Sequence, residues 1–138
     1  MTIKGKKIQA FLCMLMLVLV SSCQIVVVDT GDDLTEGAWA GDVGMTDDFG
    51  EAVYSVFEFY PGGRGIETQF YMYDDAFYDK FSFFWEWRHG HREIVLDYGH
   101  LGISYMDHLD FFGRTMTGVY YIDEYDSTGF PFRLHREY

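Results

Sequence analysis

The stretch FSFFWEWR, residues 81–88, sets Phe81, Phe83, Trp85 and Trp87 on one side of an extended chain and Ser82, Phe84, Glu86 and Arg88 on the other. A period of two is that of a strand with one buried face, because successive side chains point to opposite sides. The same rhythm recurs in both directions along the chain. Val53, Ser55, Phe57 and Phe59 alternate with Tyr54, Val56, Glu58 and Tyr60. Ile66, Thr68, Phe70 and Met72 alternate with Glu67, Gln69, Tyr71 and Tyr73, and Ile94, Leu96 and Tyr98 with Glu93, Val95 and Asp97. Turn-forming clusters separate these runs: PGGRG at 61–65, HGHR at 89–92 and Gly99-His100. From Gly37 onward no segment sustains the spacing of three and four that marks a helix.

Extended to the whole chain, this reading predicts eight strands, at 37–43, 52–60, 66–73, 81–88, 93–98, 101–106, 116–122 and 130–136. Most connections are short. Two are longer: YDDAFYDK at 73–80, with room for a helical turn, and DHLDFFGRT at 107–115, expected to cap one end. Sequential antiparallel strands favour a small up-and-down β-barrel, since closure removes both exposed edges. A two-sheet β-sandwich is the alternative all-β arrangement.

The chain has 138 residues, one domain's worth. Ten Lys and Arg stand against 22 Asp and Glu, a net charge of −12 that excludes a general nucleic-acid role, for which clustered positive charge is needed. Aromatic residues at 20% exclude a disordered chain. Two cysteines are too few for a disulfide-built scaffold or a thiolate zinc site.

The N-terminus reads as a targeting segment. Lys4, Lys6 and Lys7 precede an apolar run of 11 residues, Ala10 to Val20. That run is too short to span a bilayer core of about 30 Å, and with its basic flank it fits a cleavable secretory signal over residues 1–22. Val20-Ser21-Ser22-Cys23 resembles the lipobox of bacterial lipoproteins. The resemblance implies cleavage before Cys23, lipidation of that cysteine and membrane attachment through the lipid. With Gln24 rather than Asp next, it also implies a place in the cell envelope, at the outer membrane of a Gram-negative bacterium. The mature chain would keep 7 basic and 22 acidic side chains, a net −15. Residues 23–36, acidic in their second half, read as the lipidated cysteine and a solvated tether. The domain proper then runs from 37 to 138.

Within that domain Gly37-Ala38-Trp39 resembles the G-x-W signature of lipocalins, and Phe132-Arg133-Leu134-His135-Arg136 resembles the last strand of small bacterial lipocalin-like lipoproteins. In that family the tryptophan packs at the closed end of the barrel, and an arginine of the last strand lies across its ring. Arg136 shares a strand face with Phe132 and Leu134, so the resemblance pairs Arg136 with Trp39, a contact worth roughly 0.5–2 kcal/mol. The family's second motif, T-D-Y, has no equivalent here.

Eight strands enclose space for packed side chains or for one small ligand. The assigned faces turn Phe57, Phe59, Phe70, Phe81, Phe83, Trp85, Trp87 and Tyr98 inward. These rings either fill the barrel or line a pocket for an apolar or aromatic ligand, with Phe57, Phe70, Phe83, Trp85 and Trp87 as its candidate lining. On the outer wall, a hairpin setting Tyr54 opposite Tyr73 and Val56 opposite Tyr71 would expose Tyr54, Tyr71 and Tyr73 to a protein or glycan partner.

Catalysis is not expected. The chain contains no G-x-S-x-G, H-E-x-x-H or Walker-type glycine loop. His89, His91 and Glu93 are metal-ligand types, yet Gly90 places the two histidines in a tight turn with no third nearby, so neither a metal nor another cofactor is expected. The expectation is therefore a non-enzymatic envelope lipoprotein that binds a small apolar or aromatic molecule in its barrel. The alternative is an interaction module with a filled barrel.

Overall fold

A computed structural model describes residues 34–137. Eight strands form a closed antiparallel barrel in chain order: β1 (Ala38–Gly41), β2 (Val53–Tyr60), β3 (Arg64–Tyr71), β4 (Phe77–Arg88), β5 (Glu93–Asp97), β6 (Ile103–Phe112), β7 (Thr115–Tyr121) and β8 (Phe130–Glu137). Closure comes from β1, where Trp39 pairs with Phe57 of β2 on one side and with Arg136 of β8 on the other. Cysteine 23, the segment 1–22 and most of the tether lie outside the described residues.

The end where the chain enters is closed. Leu34 is fully buried there, although the sequence placed it in a solvated tether; its carbonyl accepts the indole N–H of Trp39 at 3.0 Å. Trp39 is itself fully buried, with Phe111 edge-on at 5.9 Å and the Arg136 guanidinium 4.8 Å from its ring centroid. The arginine–tryptophan pair implied by the last-strand pattern is thus present. Glu36 adds a carboxylate 3.8 Å from Arg136.

Above this floor the lower half of the barrel is solid with aromatic rings. Phe57, Phe59 and Phe83 are almost fully buried, with centroids 5.5–6.4 Å apart. Trp85 and Trp87 continue the array toward Phe111. Gly65 belongs to this packing, because a Cβ there would stand 2.3 Å from the Phe83 ring.

Three sequence expectations are corrected. Residues 73–80 hold no helix: a single i→i−4 turn, Asp75 N–H on the Tyr71 carbonyl with Asp75 at φ 59°, reverses the chain, and β4 starts at Phe77 rather than 81. Residues 107–115 are not a cap. Strand β6 continues to Phe112 through a bulge between Asp107 and Asp110, with His108 at φ 53°. The bulge absorbs one extra residue, so Leu109 and Phe111 still face the core although strict alternation breaks.

The third correction concerns β3. The turn after β2 spans only residues 61–63, with Gly62 and Gly63 at φ 92° and 84°, and it pairs Tyr60 with Arg64 and Tyr54 with Phe70. The expected partner of Tyr54 was Tyr73. A shift by three residues, an odd number, turns the whole strand over. Glu67 and Gln69 therefore point into the barrel, each 3% exposed, and Phe70 points outward.

Candidate functional site at the barrel mouth

The inverted strand builds the site. Phe57 of β2 stands beside Glu67 of β3, and Ser55 beside Gln69, so polar groups begin where the aromatic packing stops. Both Glu67 carboxyl oxygens are engaged. Oε1 accepts the Ser55 hydroxyl at 2.6 Å and the Gln69 amide at 3.1 Å, and Oε2 accepts the Tyr98 hydroxyl at 2.8 Å. Tyr120 of β7 completes the layer through side-chain interactions with Tyr98 and Ser104, whose own hydroxyl donates to the Ile122 carbonyl at 2.8 Å. A buried carboxylate needs this kind of satisfaction, since desolvated polar groups without partners are costly.

This polar layer is the floor of a cavity of about 260 Å³. Its walls are Tyr78 and Phe81 of β4, Leu101 of the short 3-10 turn at Gly99–Leu101, and Ile122 after β7; Met45, Thr46 and Asp48 of the β1–β2 connection close it further. A larger recess of about 420 Å³ lies against the wall where β3, β4 and β5 meet, lined by Arg64, Ile66, Ser82, Phe84 and Asp97 along with Gly65, Phe83 and Tyr98. The mouth cavity is the more discriminating of the two, because its polar atoms are buried and oriented by one another.

The connection over the mouth is held by Asp47. Its Oδ1 accepts the N–H groups of Phe49 and Glu51, and its Oδ2 the Tyr71 hydroxyl at 3.0 Å. Against a desolvation cost, these amides and the Tyr71 hydroxyl hold the Asp47 carboxyl below its ordinary range. In return Tyr71 is pushed up to about 12, by burial first and then by Asp47. Across the mouth Asp126 plays the same part in the β7–β8 connection, where the N–H of Gly129, despite desolvation, and those of Ile122 and Thr128 lower its carboxyl.

The residues proposed from sequence are redistributed. Phe57 and Phe83 belong to the packed core. Trp85, whose indole donates to the carbonyls of Tyr60 and Arg64, and Trp87, beside Phe111 and His91, sit toward the closed end. Phe70 is outside, stacked on Tyr54 at 5.5 Å. None of these five candidates lines the mouth cavity. Of the three outer-wall tyrosines, Tyr71 faces inward and holds Asp47, Tyr54 is half-covered by Phe70, and Tyr73 is exposed in a turn. His89 lies 3.9 Å from Glu93, and among the described residues no group of three or more His, Cys, Asp or Glu is arranged to hold a metal ion. Glu67, Gln69, Ser104 and Tyr120 were missed as site residues, because polar positions within alternating strands read as solvent-facing.

The buried tyrosines make the floor sensitive to base. Burial, and then the negative charge of Glu67, push the hydroxyls of Tyr98 and Tyr120 well above the usual value of 10.0. The folded chain keeps protons that the unfolded chain releases near pH 10, so their contribution to stability is complete below that pH and is lost as pH rises above it. Ultraviolet titration of the eleven tyrosines is expected to show Tyr98 and Tyr120 ionising only as the fold is lost. One reversible step near 10 for all of them, with the fold intact, would be the contrary result.

Compared with known proteins, the chain matches no family model, no curated protein and no solved structure. The chemistry of the mouth therefore carries the functional reading.

Proposed function

We propose that the protein is a non-catalytic binding protein of the cell envelope, attached by lipid at Cys23, whose barrel mouth receives a small ligand with an apolar or aromatic body. The observation that carries this reading is the mouth cavity, with its aromatic and aliphatic walls above a floor of buried, mutually oriented polar groups. A solid barrel needs no buried carboxylate in its upper layer, and departures from an apolar interior concentrate where a fold has work to do. At about 260 Å³ the cavity lies below the roughly 300–1,000 Å³ typical of drug-sized ligands, so the occupant is small. An interaction module using the outer-wall tyrosines draws less support, since Tyr71 is turned inward.

Native mass spectrometry of the protein, gently extracted from its own membranes, tests the binding reading. A defined extra mass that disappears on denaturation is expected; a bare protein mass in every preparation would overturn it. The attachment is tested separately. Cys23→Ala is expected to abolish acyl labelling and leave an uncleaved precursor, and labelling that persists would exclude Cys23 as the anchor.

A further inference from the structure

We infer that the ligand of the mouth is a cation, a small organic ammonium ion whose charged nitrogen is received by Glu67 and whose apolar body lies against Phe81, Tyr98 and Tyr120. This inference rests on the reading of the mouth as a binding site and adds the chemical class of its occupant.

The carboxylate comes first. Glu67 is 3% exposed, and its three hydrogen-bond partners, Ser55, Gln69 and Tyr98, are all neutral. Among the described residues no lysine, arginine or histidine forms an ion pair with it. A buried negative charge is costly unless a positive one accompanies it. A carboxylate has about four acceptor positions. Oε1 accepts two donors and Oε2 accepts one, which leaves Oε2 able to accept another. An ammonium supplies both the missing charge and that donor.

The surroundings select the same sign. The connections at the mouth, residues 42–52, 72–76, 98–102 and 122–129, contain nine Asp and Glu and no Lys or Arg. The connections at the closed end, residues 61–63, 89–92 and 113–114, contain Arg92 and Arg114 and no Asp or Glu. A charge axis of this kind raises the local concentration of cations at the mouth and repels anions. Three tyrosine rings and one phenylalanine ring line the cavity, and aromatic rings attract a cation placed over them through their quadrupoles. A neutral apolar ligand would displace water from around Glu67 and return nothing to it.

Three probes of matched shape test the inference by isothermal titration calorimetry on the intact protein: 2-phenylethylamine, benzyl methyl ether and phenylacetate. The amine is expected to bind at least tenfold more tightly than the neutral ether, and the carboxylate not at all. Glu67→Gln, which keeps the side chain's size, the oxygen that accepts from Ser55 and Gln69, and an amide that can donate to the Tyr98 hydroxyl once that hydroxyl rotates to accept, is expected to remove that preference while the barrel stays folded, as circular dichroism would show. Equal binding of amine and ether by the parent protein overturns the cation and leaves the mouth as a site. Amine binding unchanged in a folded Glu67→Gln protein also overturns it, by placing the charge recognition elsewhere. Failure of all three probes, together with a bare native mass, overturns the mouth as a binding site as well.

Discussion

Replacing Trp39 with Ala is expected to destabilise the barrel by about 3–5 kcal/mol, the usual cost of removing a fully buried large aromatic side chain. Three contacts depend on that ring at once, on the strand that closes the barrel. The indole N–H satisfies the Leu34 carbonyl, Phe111 packs edge-on, Arg136 lies over one face, and β1 carries it between its two neighbouring strands. The loss includes a cation–π contribution of roughly 0.5–2 kcal/mol, and it leaves the Arg136 guanidinium over a void. For a domain whose total stability is about 5–15 kcal/mol, this is a large fraction. Urea denaturation followed by far-ultraviolet circular dichroism measures it. A change below about 1 kcal/mol would mean that the closed end is held without Trp39.

The second large effect is a contrast. Phe57→Ala is expected to cost about 3–5 kcal/mol, because that ring is fully buried between Phe59 and Phe83. Phe70→Ala is expected to cost about 1 kcal/mol or less, since Phe70 lies on the outer wall against Tyr54 and Phe77. The two residues looked equivalent in the sequence, as inward phenylalanines of adjacent strands. Equal losses in the two variants would put β3 the other way round and take Glu67 out of the barrel. The same denaturation midpoints therefore test the placement of the whole mouth floor.

Much of the fold was legible because strand alternation and turn residues are local signals. The run at 81–88 faces as its pattern demands, and the G-x-W start and the last strand meet at Trp39 and Arg136. The mouth was not legible, for one identifiable reason. Facing was assigned by hydrophobicity alone, and β3 places Glu67 and Gln69 inside, against that rule. The length of the turn held the correct information. Two consecutive glycines after Pro61 permit a three-residue loop, and counting back from Tyr60 paired with Arg64 sets Glu67 beside Phe57. The bulge at 107–110 hid for a similar reason, since a single inserted residue makes a continuous strand look like two fragments and a loop.

The burial of Leu34 beneath Trp39 has a topographic consequence. The chain enters the barrel at its closed end, so the N-terminal segment joins the molecule at the end opposite the acidic opening. The anchor proposed at Cys23 stands eleven positions before Leu34, a reach of at most about 40 Å for a fully extended chain. On a surface of anionic lipid, the arginines near the entry end would be drawn down and the opening pushed up. Under the proposed anchoring, a solute reaches the opening from the side away from the anchor, without passing the lipid.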